Sequence, residues 1–126
     1  MGGEMAGKKE KIGIVGSRSF DDYELLKSVL DEYPPFMVVS GGAEGTDALV
    51  ERYADEKGYE KLIFPALWKK YGKKAGPIRN KQIIAGSDQI IAFWDGTSKG
   101  AQNIIGYAQR KGVPARIIRF QSNDKT

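Results

Sequence analysis

The residues able to do chemistry fall in four short stretches. Ser40-Gly41-Gly42-Ala43-Glu44-Gly45-Thr46-Asp47 places three glycines within five residues, between an apolar run and a helix-like pattern. Such a turn exposes backbone N–H groups at a helix N-terminus, where the partial positive charge favours an anion. Glycine also lets a phosphate approach without a Cβ in the way. Ser40, Gly41, Gly42, Ala43, Gly45, Thr46 and Asp47 are therefore candidate phosphate-binding residues. Thr46 or Asp47 is expected to cap the helix, and either could also meet a ligand hydroxyl. Gly16, Ser17 and Arg18 follow another apolar run, and Arg18 is placed to clamp a phosphate with two parallel hydrogen bonds. Arg79 and Asn80 follow Gly76 and Pro77 near a helix start and are expected to point back across a shared crevice. Trp94, beside Asp95 and Gly96, is a better candidate for stacking on a base than Trp68 or Tyr71. Lys99 and Gly100 repeat the pairing of a cation with a glycine near a helix start.

What is missing narrows the chemistry further. The 126 residues include no histidine and no cysteine, which excludes a Ser-His-Asp triad, a Cys-His pair and the usual zinc sites. Any catalysis must come from carboxylates, Lys, Tyr or a metal that the substrate carries. Glu44, Asp47 and Asp95 are the carboxylates at hand, although no residue can be singled out as catalytic. No resident cofactor or protein-held metal is expected, and a divalent cation could arrive only with the ligand. The glycine spacing matches neither GxGxxG nor GxxxxGK[ST], so a conventional NAD or ATP site is not indicated.

The elements that must position these residues alternate. Apolar strand-like runs are Lys11–Gly16, 36–40, 61–64, 88–94 and 115–120; helical patterns are 21–33, 46–57, 78–86 and 99–111. Pro34 and Pro35 end the first helix, and Gly58 ends the second at a left-handed position. The alternation predicts an α/β, Rossmann-like, doubly wound and mostly parallel five-stranded sheet with helices on both faces. The runs at 11–16, 36–40 and 88–94 are continuously apolar, as central strands are, whereas 61–64 is short and 115–120 carries Arg116 and Arg119. The strand order 3-2-1-4-5 follows. In such a sheet ligands bind beyond the carboxyl ends of the strands, where the order reverses, and all four stretches fall at those ends.

The chain reads as a leader expected to be disordered at 1–10, a single domain at 11–120 and a polar tail at 121–126. No run is long enough to span a bilayer and no secretory signal is evident, so a cytoplasmic protein without a membrane partner is expected. The net charge is +4, and Lys69 to Lys81 holds six basic residues and no acid, reading as a basic loop at the rim of a phosphate site or as a solvated surface. A homodimer or higher homo-oligomer is compatible with the sequence.

Gly16-Ser17-Arg18, Ser40 to Asp47, Gly76-Pro77-Ile78-Arg79-Asn80 and Phe93 to Gly100 together resemble the SLOG superfamily (the SMF/DprA and LOG proteins), most closely its YspA-like branch. The resemblance spans nearly all of 11–120 and implies a Rossmann-like fold that binds nucleotides or nucleotide-derived ligands. LOG-type phosphoribohydrolases carry PGGxGTxxE, with a catalytic glutamate three residues after the threonine. Here that position is Leu49, the turn is one residue longer, and Glu51 lies further along the helix, so the hydrolytic carboxylate does not carry over. The turn is closer to that of the DprA proteins, which bind single-stranded DNA, although the further segments of those larger proteins are not found in this sequence. The leading expectation is a module that senses or sequesters a nucleotide-derived ligand. The alternatives are a hydrolase cleaving an N-glycosidic or phosphate bond of such a ligand, and a DprA-like nucleic-acid-binding protein using Lys69 to Lys81.

Overall fold

The computed structural model describes residues 9–121. Apart from Lys9, Glu10 and Gln121, the expected leader and tail lie outside the described residues. Five strands, β1 (Lys11–Gly16), β2 (Met37–Ser40), β3 (Lys61–Ile63), β4 (Gln89–Trp94) and β5 (Ala115–Arg119), form one sheet in the order β3-β2-β1-β4-β5. All four pairings are parallel. The order agrees with the hydropathy of the runs: Ile12, Ile14, Val38, Val39 and Ile90 to Phe93 are fully buried in central strands, while Arg116 and Arg119 lie on the outermost one.

Helices cover both faces. Ile12, Ile14, Val38, Ile91 and Phe93 pack against α1 (Tyr23–Leu30) and α2 (Thr46–Lys57) through Leu26, Leu30, Val50 and Tyr53. Val15, Val39, Ile90 and Ala92 point the other way, toward Ile83 and Ile84 of α4 (Ala75–Ala85) and Ile104 and Ile105 of α5 (Lys99–Arg110). Alternate residues of one strand thus serve opposite cores, as the period-2 geometry requires. Each buried aliphatic side chain contributes on the order of 1.5–3 kcal/mol.

Two local readings change. The first helix is shorter than 21–33: the Asp22 carboxylate accepts the Leu25 amide at 3.0 Å and starts it at Tyr23, and it ends at Leu30. The basic stretch is mostly helical rather than a loop. Trp68–Tyr71 forms a single helical turn (α3), Gly72–Lys74 a 3₁₀ turn, and α4 begins at Ala75 rather than Ile78. Pro77 falls at the third helical position, where the missing N–H would have had no partner inside the helix, so it does not block an earlier start.

Candidate functional site

The strand order reverses between β1 and β4: α1 carries the chain from β1 to β2 across one face, and α4 leads into β4 across the other. A cleft of about 470 Å³ opens there, beyond the carboxyl ends of these strands.

Ser17 holds its floor together. Its amide donates to Phe93 O at 2.9 Å, its carbonyl accepts the Thr46 hydroxyl at 3.0 Å, and its hydroxyl accepts the Asp95 amide at 3.3 Å. The loops after β1, β2 and β4 are therefore joined through one residue that is only 1% exposed.

The glycine-rich turn is built differently from expectation. Neither Thr46 nor Asp47 caps α2. Gly45 occupies the cap position at φ 68°, and Thr46 is fully buried with its hydroxyl spent on Ser17. Asp47 instead reaches back, its carboxylate accepting the Ala43 amide at 3.0 Å. The amides of Gly42 to Thr46 do not all converge on one outside point. Gly42 donates to the Ser40 hydroxyl at 3.4 Å and Thr46 to Ser17 O at 3.5 Å, leaving Glu44 and Gly45 without an internal partner among the described residues. Two of the glycines make room for the protein itself. A Cβ on Gly45 would collide with the Arg18 carbonyl, and one on Gly41 with the Arg79 guanidinium.

Of the residues singled out from sequence, Gly16, Ser17, Arg18, Ala43, Asp47, Arg79, Asn80 and Gly100 line the cleft. Ser40, Gly41, Gly42, Gly45 and Thr46 are not in its lining: Ser40, Gly41 and Thr46 are buried, Gly45 is half-buried and Gly42 is exposed. Arg79 is fixed by donating from Nε to Asn80 Oδ1 at 2.9 Å and from a terminal nitrogen to Gly41 O at 3.2 Å. Trp94 lies outside the lining: its indole N–H donates to Ser98 O at 3.0 Å and Arg119 lies 5.6 Å from its ring. Lys99 is exposed and also outside it.

Three carboxylates face the same space. Burial pushes the Asp47 carboxyl above the usual range, against the opposing pull of the Ala43 amide and the Arg79 charge. Asp95 is also partly desolvated, yet the amides of Thr97 and Ser98 bind it at 2.9 and 2.8 Å and hold it below that range. Glu44 is exposed at the rim. Leu49, at the position of the LOG glutamate, packs against the α1–α2 core and offers nothing to the cleft. Among the described residues no group of three or more carboxylates is arranged to hold a metal ion.

Sequence reasoning missed a second compartment of about 730 Å³ running from the cleft between α4 and α5. Trp68, Lys81, Asn103, Tyr107 and Arg110 line it. The signal was present in 99–110, where Asn103, Tyr107 and Arg110 form a polar stripe at helical spacing beside the buried Ala101, Ile104, Ile105 and Ala108.

Comparison with known proteins agrees with this architecture. The profile of the family described as "YspA, cpYpsA-related SLOG family" matches residues 11–71, which include the loops after β1 and β2. The chain is also 34% identical over 123 residues to the Gene 61 protein of Mycobacterium phage D29, covering 87% of this chain and 95% of that protein. The chain belongs to the YspA, cpYpsA-related family of the SLOG superfamily.

Proposed function

We propose that the protein binds a nucleotide or nucleotide-derived, phosphate-bearing small molecule in the cleft between β1 and β4, acting as a cytoplasmic sensor or sequestering module. One observation carries the reading. Arg18 and Arg79 line the same cleft, and among the described residues neither forms an ion pair with a carboxylate. Arg79 is held in place by Asn80 and Gly41 while the exposed Arg18 is free to turn toward a ligand, and two such guanidiniums suit phosphate oxygens, to which they can donate in parallel pairs. Family membership points to the same class of ligand. Among the described residues no helix is long and apolar enough to cross a membrane.

Titration calorimetry with AMP, ADP and inorganic phosphate tests the reading. Arg79→Ala should weaken nucleotide binding by about 1–3 kcal/mol, the scale of a charge-assisted hydrogen bond. Normal binding by a variant that melts far earlier would make Arg79 a framework residue and remove the support.

Hydrolysis is the second reading, favoured by Asp47, which lines the cleft and whose pKa burial raises, the direction that a general acid needs. In it, Asp47 protonates the leaving base or leaving oxygen as its bond breaks, and a water that gives its proton to Asp95 or Glu44 forms the new bond to the anomeric carbon or to phosphorus. Free-base or phosphate release that disappears in Asp47→Asn would replace the binding module with an enzyme. Tight binding without turnover leaves the binding reading in place.

A further inference from the structure

The two compartments adjoin, with Arg18, Arg79, Asn80 and Gly100 lining both. Their linings differ sharply on either side of this neck. The inner compartment carries Glu44, Asp47 and Asp95, groups that accept hydrogen bonds from hydroxyl and amino groups. The outer one has no carboxylate in its lining and adds Lys81 and Arg110 to the two arginines of the neck. It also holds Trp68, which is 53% exposed although tryptophan is among the side chains with most to gain from burial. The indole edge is seated over the first turn of α4, where a Cβ on Gly76 would lie 3.5 Å from it. Tyr107 forms part of the opposite wall on α5.

We infer that the ligand is of dinucleotide type, two nucleosides bridged through phosphate, with the bridge held at the neck and the second base stacked on Trp68. This rests on the reading of the cleft as a nucleotide site. Charge is concentrated where the bridge would lie, with hydrogen-bond acceptors on one side and an open aromatic face on the other. A mononucleotide seated in the inner compartment would leave Trp68, Lys81 and Arg110 without a role. The outer compartment matches what a base with flanking phosphate requires: a ring to stack on and cations nearby.

The test is a comparison of affinities for AMP, diadenosine diphosphate and adenylyl-adenosine, measured by calorimetry on the full chain. One of the two bridged compounds should bind at least about tenfold more tightly than AMP, the equivalent of one base stack. The better of them identifies the length of the bridge. Trp68→Ala should bring that ratio close to one, and Arg110→Gln should reduce it. Because both side chains are exposed, unchanged melting is the check that the fold survives. AMP binding as tightly as the better of the two bridged compounds overturns the inference and leaves the nucleotide site standing. A ratio indifferent to Trp68→Ala also overturns it. Affinity that keeps climbing to a deca-adenylate and falls steeply with salt makes the groove a nucleic-acid surface instead. Failure of AMP and both bridged compounds to bind removes the nucleotide site and the inference together.

Discussion

The two ends of α2 are each marked by a glycine in the left-handed region, Gly45 at φ 68° and Gly58 at φ 73°, yet they are built for different reasons. At Gly45 a side chain would have to occupy the space of the Arg18 carbonyl. At Gly58 a Cβ would meet nothing within 4 Å. The first glycine is required by its neighbours as well as its backbone, the second by its backbone alone. Titratable groups divide the same way. Asp47, near the start of the helix, is raised by burial, whereas exposed Asp31 beside its far end is lowered from 3.8 to about 2 by hydrogen bonds from Lys27 and Tyr53. One end is a packed junction of three loops, and the other is a solvated helix terminus.

The largest effect should come from Gly45→Ala. It combines an unfavourable φ with a collision against backbone, so a loss above about 3 kcal/mol in urea denaturation is expected. A loss near 1 kcal/mol would show that the loop after β1 yields, and the contrast between the ends would collapse. Thr46→Val should cost about 1–1.5 kcal/mol, because the Ser17 carbonyl loses its hydroxyl donor but keeps the Phe20 amide at 3.2 Å. If ligand binding falls while stability does not, Thr46 acts on the ligand rather than as framework. Gly58→Ala should cost only about 1 kcal/mol, the conformational share alone.

The smallest effects are in the pH dependence, and they should have opposite signs at the two ends. The folded pKa of Asp31 is depressed, so its contribution is present above about 3.8 and is lost as pH falls through about 2. Asp31→Asn should therefore flatten the acid limb of a stability profile, modestly, since its partners are exposed. The folded pKa of Asp47 is raised, so its contribution is present below the usual carboxylate range and is lost as pH rises through its folded value. Asp47→Asn removes that opposing trend and should steepen the acid limb. Equal slopes in the two variants would mean that the ends are not electrostatically distinct.

The same contrast explains how much could be read from sequence. Strand order was legible because burial on both faces leaves continuous apolar runs such as Gln89–Trp94, and an outer strand tolerates Arg116 and Arg119. The glycine cluster was legible as an unusual turn, but its reason was not. Gly45 meets Arg18 and Gly41 meets Arg79 only after β1, β2 and α4 have been brought together. Trp94 reads as a stacking platform from its place at a strand end, yet its N–H turns to Ser98 four residues on and its ring sits beside Arg119. Trp68 ranks behind Trp94 in the sequence because Trp94 lies at a strand end beside Asp95 and Gly96. A single helical turn such as α3 has too few residues to display a period, so nothing in the sequence indicates which way the Trp68 indole is presented.

The central position of β1 has a consequence for synthesis. Its neighbour β4 pairs from Ile12↔Gln89 to Gly16↔Phe93, so one edge of the first strand made must wait for a partner encoded late in the chain. A nascent chain that has emerged only to Tyr71 holds β1, β2 and β3 but presents the open, apolar edge of β1 to whatever is nearby. Ser17 then lacks Phe93 and Asp95, its two attachments to β4 and the loop after it. The cleft should therefore assemble abruptly on the ribosome, once β4, the loop after it and the first half of α5 have cleared the exit tunnel, and any earlier stall leaves a fragment prone to aggregation.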